Sequence, residues 1–123
     1  MISIDFQKIY DILSDVLPEE WKKVVFRAEY TTGSYTMKYY VQTLSGEYID
    51  CYNLPNISDD SIVDAYIRID EVVYEARQQE DNTKLWNLMT IVIDNEGRFK
   101  TDFQYDVVID DEHMKSWTNK YLK

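Results

Sequence analysis

Hydrophobic positions along this chain recur first every three to four residues, then every second, and the alternation of the two periods divides it into helices and strands. Over residues 3–17, Phe6, Ile9, Tyr10, Leu13, Val16 and Leu17 fall on one helical face, with Asp5, Lys8, Asp11 and Asp15 on the other. Ser3 or Asp5 can cap the start, and Pro18, which lacks the N–H a helix needs, stops it. Residues 21–30 switch to period two. Val24, Phe26, Ala28 and Tyr30 share one face of a strand; Lys23, Arg27 and Glu29 share the other. Thr31-Thr32-Gly33-Ser34 is a turn into a second strand, 35–43, with Tyr35, Met37, Tyr39 and Val41 on one face, so the two form a hairpin. Ser45-Gly46 turns the chain into a short third strand, 47–52, which ends before Pro55.

Residues 59–79 predict the longest helix. Ser58 is placed to cap it, Asp59 and Asp60 favour its positive end, and Ile62, Tyr66, Ile69, Val73 and Ala76 trace its buried stripe. The polar run Gln78 to Thr83 closes it. Residues 85–94 and 98–105 form a second hairpin around Asp94-Asn95-Glu96-Gly97, where Gly97 supplies the positive φ such turns need. Leu85, Met89, Ile91 and Ile93 on one strand match Phe99, Phe103 and Tyr105 on the next. Trp86, Leu88 and Val92 make the first of these strands apolar on both faces, which implies a central place in a sheet. A last helix, 110–121, opens on Asp110, Asp111 and Glu112, ends near Lys120, and turns Met114, Trp117 and Tyr121 inward. The order is α-β-β-β-α-β-β-α. Short links make the strand pairs antiparallel, so the fold class is α+β, an antiparallel sheet of two hairpin units with helices packed on it. The order of the hairpins within the sheet does not follow.

With 123 residues the chain has room for one domain, 1–123, and its 45% hydrophobic content, with 11 Tyr among 15% aromatics, is enough for a core. There is no apolar run of the roughly 20 residues a membrane span needs, and the start Met1-Ile2-Ser3-Ile4-Asp5-Phe6 has no signal-peptide pattern. A lone cysteine, Cys51, excludes an internal disulfide and a zinc cluster, which fits a cytoplasmic protein; it reads as an apolar filler at a strand end. The net charge of −10 argues against direct nucleic-acid binding, because phosphate repels such a surface, and the same field attracts a basic protein. Solubility alone also accounts for acidity.

Chemistry is largely absent from the pattern. His113, the one histidine, has no nucleophile or second acid–base group set beside it by any motif and reads as a surface residue. Asp59-Asp60 and Asp110-Asp111-Glu112 are explained by helix starts. Asp94-Asn95-Glu96-Gly97 lacks the rest of a twelve-residue calcium loop and its closing Glu. Gly33, Gly46 and Gly97 are too far apart for a phosphate-binding loop. No catalytic residue, metal or cofactor is expected, and a binding protein is favoured over an enzyme. The acids themselves are unevenly spread. Residues 59–81 carry net −6 and residues 94–112 net −5. In the second segment Asp94, Glu96, Asp102, Asp106, Asp110, Asp111 and Glu112 follow turns and a strand beside aromatic residues, a pattern suited to partner contact, since aromatics supply burial and carboxylates supply steering. Plain solvation of these acids is the alternative.

The second hairpin also carries a family resemblance. Trp86, then Ile91-Val92-Ile93-Asp94-Asn95-Glu96-Gly97-Arg98-Phe99, then Asp102-Phe103-Gln104-Tyr105-Asp106 resembles the W…ID-x-(D/E)-G-(K/R)-F…DF-x-YD signature of the YezG/EsaG-like antitoxins. Ile9-Tyr10, Leu17-Pro18-Glu19-Glu20-Trp21 leading to Ala28-Glu29, Tyr39-Tyr40, Leu54-Pro55 and Trp117…Lys120-Tyr121-Leu122 are similar to other parts of that family, so the likeness spans nearly the whole chain. Gln104 departs from it, standing where an acid is expected. The resemblance implies an immunity-protein-like domain: a cytoplasmic antitoxin of Gram-positive bacteria that binds and neutralises a nuclease toxin exported by type VII secretion. The partner would then be a basic protein, the cognate nuclease, with no membrane. A secretion chaperone or adaptor for a type VII export substrate is the alternative, and a small enzyme a third reading. The oligomeric state stays open, and the many Tyr leave room for a self-contact.

Overall fold

The computed structural model describes residues 4–31, 33–78 and 86–123, with Gln78 as backbone only. Helix α1 covers Phe6–Ser14. The Asp5 carboxylate accepts the Lys8 N–H at 3.0 Å and so satisfies one of the donors a helix start leaves open; Ser3, the other candidate cap, lies outside the described residues. The helix stops before residue 17 because its last turn tightens, Val16 N–H reaching Leu13 O at 2.9 Å, while the buried Tyr39 hydroxyl donates to the Val16 carbonyl at 2.7 Å. Val16 is buried all the same with Ile9, Ile12 and Leu13, so the apolar period outruns the helical hydrogen bonds.

Strands β1 (Lys23–Thr31) and β2 (Ser34–Gln42) form the expected hairpin, in register from Lys23 opposite Gln42 to Thr31 opposite Ser34. Gly33 takes φ +79° at its tip; Thr32 lies outside the described residues. Strand β3 is only Tyr48–Asp50, because the Asp50 carboxylate accepts the Tyr52 N–H at 3.0 Å and starts a 3-10 turn, Cys51–Asn53, that buries Cys51. Helix α2 runs Asp59–Gln78, with the Ser58 hydroxyl accepting the Ser61 N–H at 3.1 Å as its cap. The expected end at 79 and the polar run to Thr83 pass outside the described residues, as does Leu85. Strands β4 (Leu88–Asp94) and β5 (Phe99–Gln104) complete the sheet, and α3 covers Asp111–Tyr121. The predicted α-β-β-β-α-β-β-α order and α+β class are those observed.

The five strands lie in the order β3-β2-β1-β4-β5, antiparallel throughout. β1 is central and β4 flanks it, and both are buried on their two faces, as Val24, Val25 and Phe26 show for β1. Helix α2 therefore carries the chain from edge strand β3 back across the sheet to β4. One face of the sheet presents Val24, Phe26, Ala28, Met37, Tyr39, Val41, Met89, Ile91 and Ile93 to α1 and α2, whose Ile9, Leu13, Ile62, Ile69 and Val73 close the main core. On the opposite face the described strands bury Val25 and Leu88, with Tyr40 and Val92 half-buried beside them, and α3 lies over it, supplying Trp117 and Tyr121. The sheet is thus a middle layer, heavily covered on one side and lightly on the other.

Candidate functional site

Six residues, 105–110, lead from β5 to α3. Asn87, just before β4, holds this loop as a strand neighbour would: its side-chain Nδ2 donates to Val107 O at 2.9 Å, its Oδ1 accepts Val107 N–H at 3.1 Å, and its own N–H donates to Gln104 O at 3.0 Å. Beyond that clamp the chain turns outward. Val108 is 73% exposed, and Ile109 and Tyr105 are exposed beside it. Asp106 adopts φ +54°, a left-handed conformation that Asp tolerates better than most residues. Asp110 caps α3, accepting the His113 N–H at 2.8 Å, and Asp111 and Glu112 occupy the first turn.

The far anchor of the loop is α3. Trp117 is buried against the sheet, donating from Nε1 to Thr90 Oγ1 at 3.1 Å, with the rings of Tyr40 and Tyr121 tilted against it at 5.6 and 5.3 Å between centres. The Arg27 guanidinium sits 4.6 Å from the centre of the Trp117 ring, pairs with Glu29, and lies 3.4 Å from His113 Nε2. Arg27 is only 2% exposed. His113, expected on the surface, is half-buried against this cation: α3 covers the face of β1 that holds Arg27. Burial first, and the Arg27 charge second, lower its pKa. Near the end of α3 the Tyr121 hydroxyl donates to Asp102 Oδ2 at 3.0 Å; burial and that bond push its pKa up to about 12.

The seven acids expected to meet a partner are thus divided. Asp106, Asp110, Asp111 and Glu112 gather around the exposed loop. Asp102 faces α3 and is held by Tyr121 and, at 3.8 Å, by Lys120. Asp94 and Glu96 lie in the β4–β5 turn at the other end of the hairpin, both bonded to Arg98. Spacing in the sequence places all seven within nineteen residues, but a six-residue strand separates the two ends by roughly 20 Å.

A groove of about 600 Å³ adjoins Asn87 on its other side. Tyr30 and Trp86 form its inner wall, with their rings edge to face at 5.3 Å, and Tyr35, Asp70, Tyr74 and Arg77 line the rest. The Tyr30 hydroxyl donates to Asp70 Oδ1 at 2.8 Å; burial, with that carboxylate, drives its pKa far above the usual phenol value. Arg77 lies 4.7 Å from the Tyr30 ring centre and 4.6 Å from that of Trp86, donates to the Trp86 carbonyl, and has its pKa lowered by burial. Sequence reading missed this groove. Its one signal was Trp86 beside a strand already apolar on both faces.

Among the described residues no three His, Cys, Asp or Glu side chains converge as metal ligands do, and no helix is long and apolar enough to cross a membrane. The surface is one of contact groups: carboxylates, exposed aliphatics and half-buried rings. Comparison with known proteins bears on what it contacts. The family model described as "Immunity protein YezG-like" matches residues 2–123. Immunity protein YezG of Bacillus spizizenii is 28% identical over 113 residues, covering 87% of this chain and 70% of that protein. Immunity protein YezG of Bacillus subtilis strain 168 is 26% identical over 113 residues, covering 87% and 75%. The family resemblance read from the hairpin signature is therefore borne out, and the chain belongs to the YezG-like immunity protein family.

Proposed function

We propose that this immunity protein neutralises a basic nuclease toxin by binding it stoichiometrically, and that the loop 105–110 with the start of α3 is part of the surface it uses. The supporting observation is a juxtaposition: Val108 and Ile109 stand exposed with four exposed acids, Asp106, Asp110, Asp111 and Glu112, within a few residues of them along the chain. A nuclease must present cations to its phosphate substrate. Carboxylates steer such a surface into encounter, and desolvated aliphatics slow its release. Asp106, Asp111 and Glu112 form no ion pair or side-chain hydrogen bond among the described residues, so their charge is uncancelled. In this reading the protein has no catalysis of its own and acts in the cytoplasm on a toxin bound for type VII secretion, as the family resemblance implies.

The test takes as candidate toxin the product of the reading frame adjacent to this gene, with its nuclease domain as the probe. The wild-type chain is expected to copurify with that domain and to stop its degradation of DNA. Replacing Val108→Ser and Ile109→Ser together is expected to raise Kd by about a hundredfold, with the melting temperature held. No complex between the wild-type chain and the nuclease domain removes the proposal. Binding to the toxin's targeting region instead of its catalytic domain makes the protein a secretion chaperone or adaptor.

A further inference from the structure

A stable interface engages about 20–30 residues and 800 Å² on each partner, roughly a tenth of this protein's 7546 Å² surface. The eight residues 105–112 fall well short of that, so tight neutralisation needs an adjoining surface. α3 exposes no large apolar side chain among the described residues, whereas α2 exposes three: Val63 at 47%, Ile67 at 49% and Tyr74 at 58%. With half-buried Asp70, which accepts the Tyr30 hydroxyl, they fall at positions 63, 67, 70 and 74, one continuous row along the flank of α2 beside its buried stripe, roughly 16 Å long. Asp70 and Tyr74 also line the groove, whose Asn87 clamps the loop 105–110. The row, the groove and the loop are therefore contiguous.

We infer that this flanking row of α2 and the groove at its end form a second half of the toxin-binding surface, taking a cationic, apolar-centred segment of the nuclease domain. The inference rests on the toxin reading above. Charge selects the occupant. Asp60, Asp64, Glu71 and Glu75 are exposed beside the row, and residues 59–81 carry net −6, so a second copy of this chain would set two like-charged faces together. These acids run along the outer side of the row, Asp64 already paired with Arg68, so a segment with Lys or Arg on the matching side of its apolar residues meets complementary charge. The groove itself already holds the Arg77 cation over Tyr30 and Trp86, so it takes an apolar side chain of that segment, against the rings of Tyr35 and Tyr74, while the flanking Lys or Arg stay outside it.

The experiment measures binding of the full chain to the nuclease domain of the same candidate toxin, by calorimetry and surface kinetics, with Val63→Ser/Ile67→Ser/Tyr74→Ser and, separately, Ile67→Lys. All three positions are exposed, and unchanged melting temperatures verify that both variants fold. The triple variant is expected to raise Kd by about a hundredfold, chiefly through faster dissociation, and Ile67→Lys by about tenfold or more through charge clash. Wild-type affinity in both variants overturns the inference and leaves the toxin reading standing. Failure of the wild-type chain to bind overturns the reading and the inference with it. Sedimentation of the isolated chain as a dimer that the triple variant dissociates assigns the row to self-contact and also overturns it.

Discussion

The two ends of the β4–β5 hairpin are both acidic in sequence, with Asp94 and Glu96 at the turn and Asp106, Asp110, Asp111 and Glu112 beyond the open end, and they are differently paired. At the turn, Asp94 accepts the N–H groups of Glu96 at 2.9 Å and Arg98 at 3.0 Å, and its other oxygen takes Arg98 Nε at 2.6 Å. Glu96 pairs with Arg98 Nη2 at 3.0 Å. The Arg98 backbone N–H and guanidinium hold the Asp94 carboxyl below its ordinary pKa, so its charge is directed into the turn. At the far end Asp106, Asp111 and Glu112 pair with no cation among the described residues, and Val108 and Ile109 are their neighbours along the chain. Carboxylates beside an arginine shape the chain; in the reading proposed above, those beside the exposed aliphatics meet the toxin.

The largest test of this contrast acts through the anchor of the far end. Trp117→Ala removes a buried ring, its bond to Thr90 and the platform for Arg27, and is expected to cost about 3–5 kcal/mol by chemical denaturation. Because the loop 105–110 hangs between Asn87 and α3, amide exchange in the variant should rise first in the loop and α3 and least at the Asp94–Gly97 turn. An even rise at both ends would show that the two are not independently held.

A smaller effect separates the two sets of acids directly. Asp94→Ala leaves the Glu96 and Arg98 N–H groups without their acceptor, so the melting temperature should fall while toxin association is unchanged. The set Asp106→Asn, Asp111→Asn and Glu112→Gln should do the reverse. Asn suits the positive φ at 106, so the fold is kept, and association should slow by about tenfold at low salt, the difference fading as salt rises. Equal association rates for the two variants would show that the free acids do not steer.

Helices and strands were legible in the residue order because each carries one period over a full element, and the buried stripe of α2 and the inner faces of β1 and β2 appear as read. The sheet order was not legible: it depends on which edge α2 crosses to, and no local period records that. The charged face of β1 was misleading for a related reason. Lys23, Arg27 and Glu29 alternate as a solvent-facing set does, yet Val25 among them is fully buried, and that single apolar residue was the available sign that α3 would cover the face. The candidate site was half legible. The acids could be counted, but which of them Arg98, Tyr121 and Lys120 would occupy is a matter of spatial pairing, and the groove joins residues from 30 to 87 that no spacing links.

The smallest expected effect concerns how α3 keeps the far end in place as pH changes. His113 faces buried Arg27 across 3.4 Å, with Glu29 and Asp110 the nearby carboxylates that partly oppose that cation. Its pKa in the folded chain lies below the ordinary 6.5, since burial and Arg27 both disfavour a second positive charge. The unfolded chain therefore takes up a proton first as pH falls. The stability contributed by neutral His113 is complete above the unfolded value, declines as pH drops through 6.5 towards the folded pKa, and is constant below it. Asp50 and Asp94, whose carboxyl pKa values are lowered from 3.8, begin to lose their contributions only in more acidic solution than that in which the His113 contribution begins to decline. His113→Gln keeps an acceptor for Arg27 and removes the titration. Between pH 7.5 and 5.5 the wild-type melting temperature should fall further than that of the variant, and the excess should vanish when Trp117→Ala has already loosened α3. Parallel melting curves for wild type and His113→Gln would mean that Arg27 does not sense the histidine, and that α3 is held by Trp117 and Tyr121 alone.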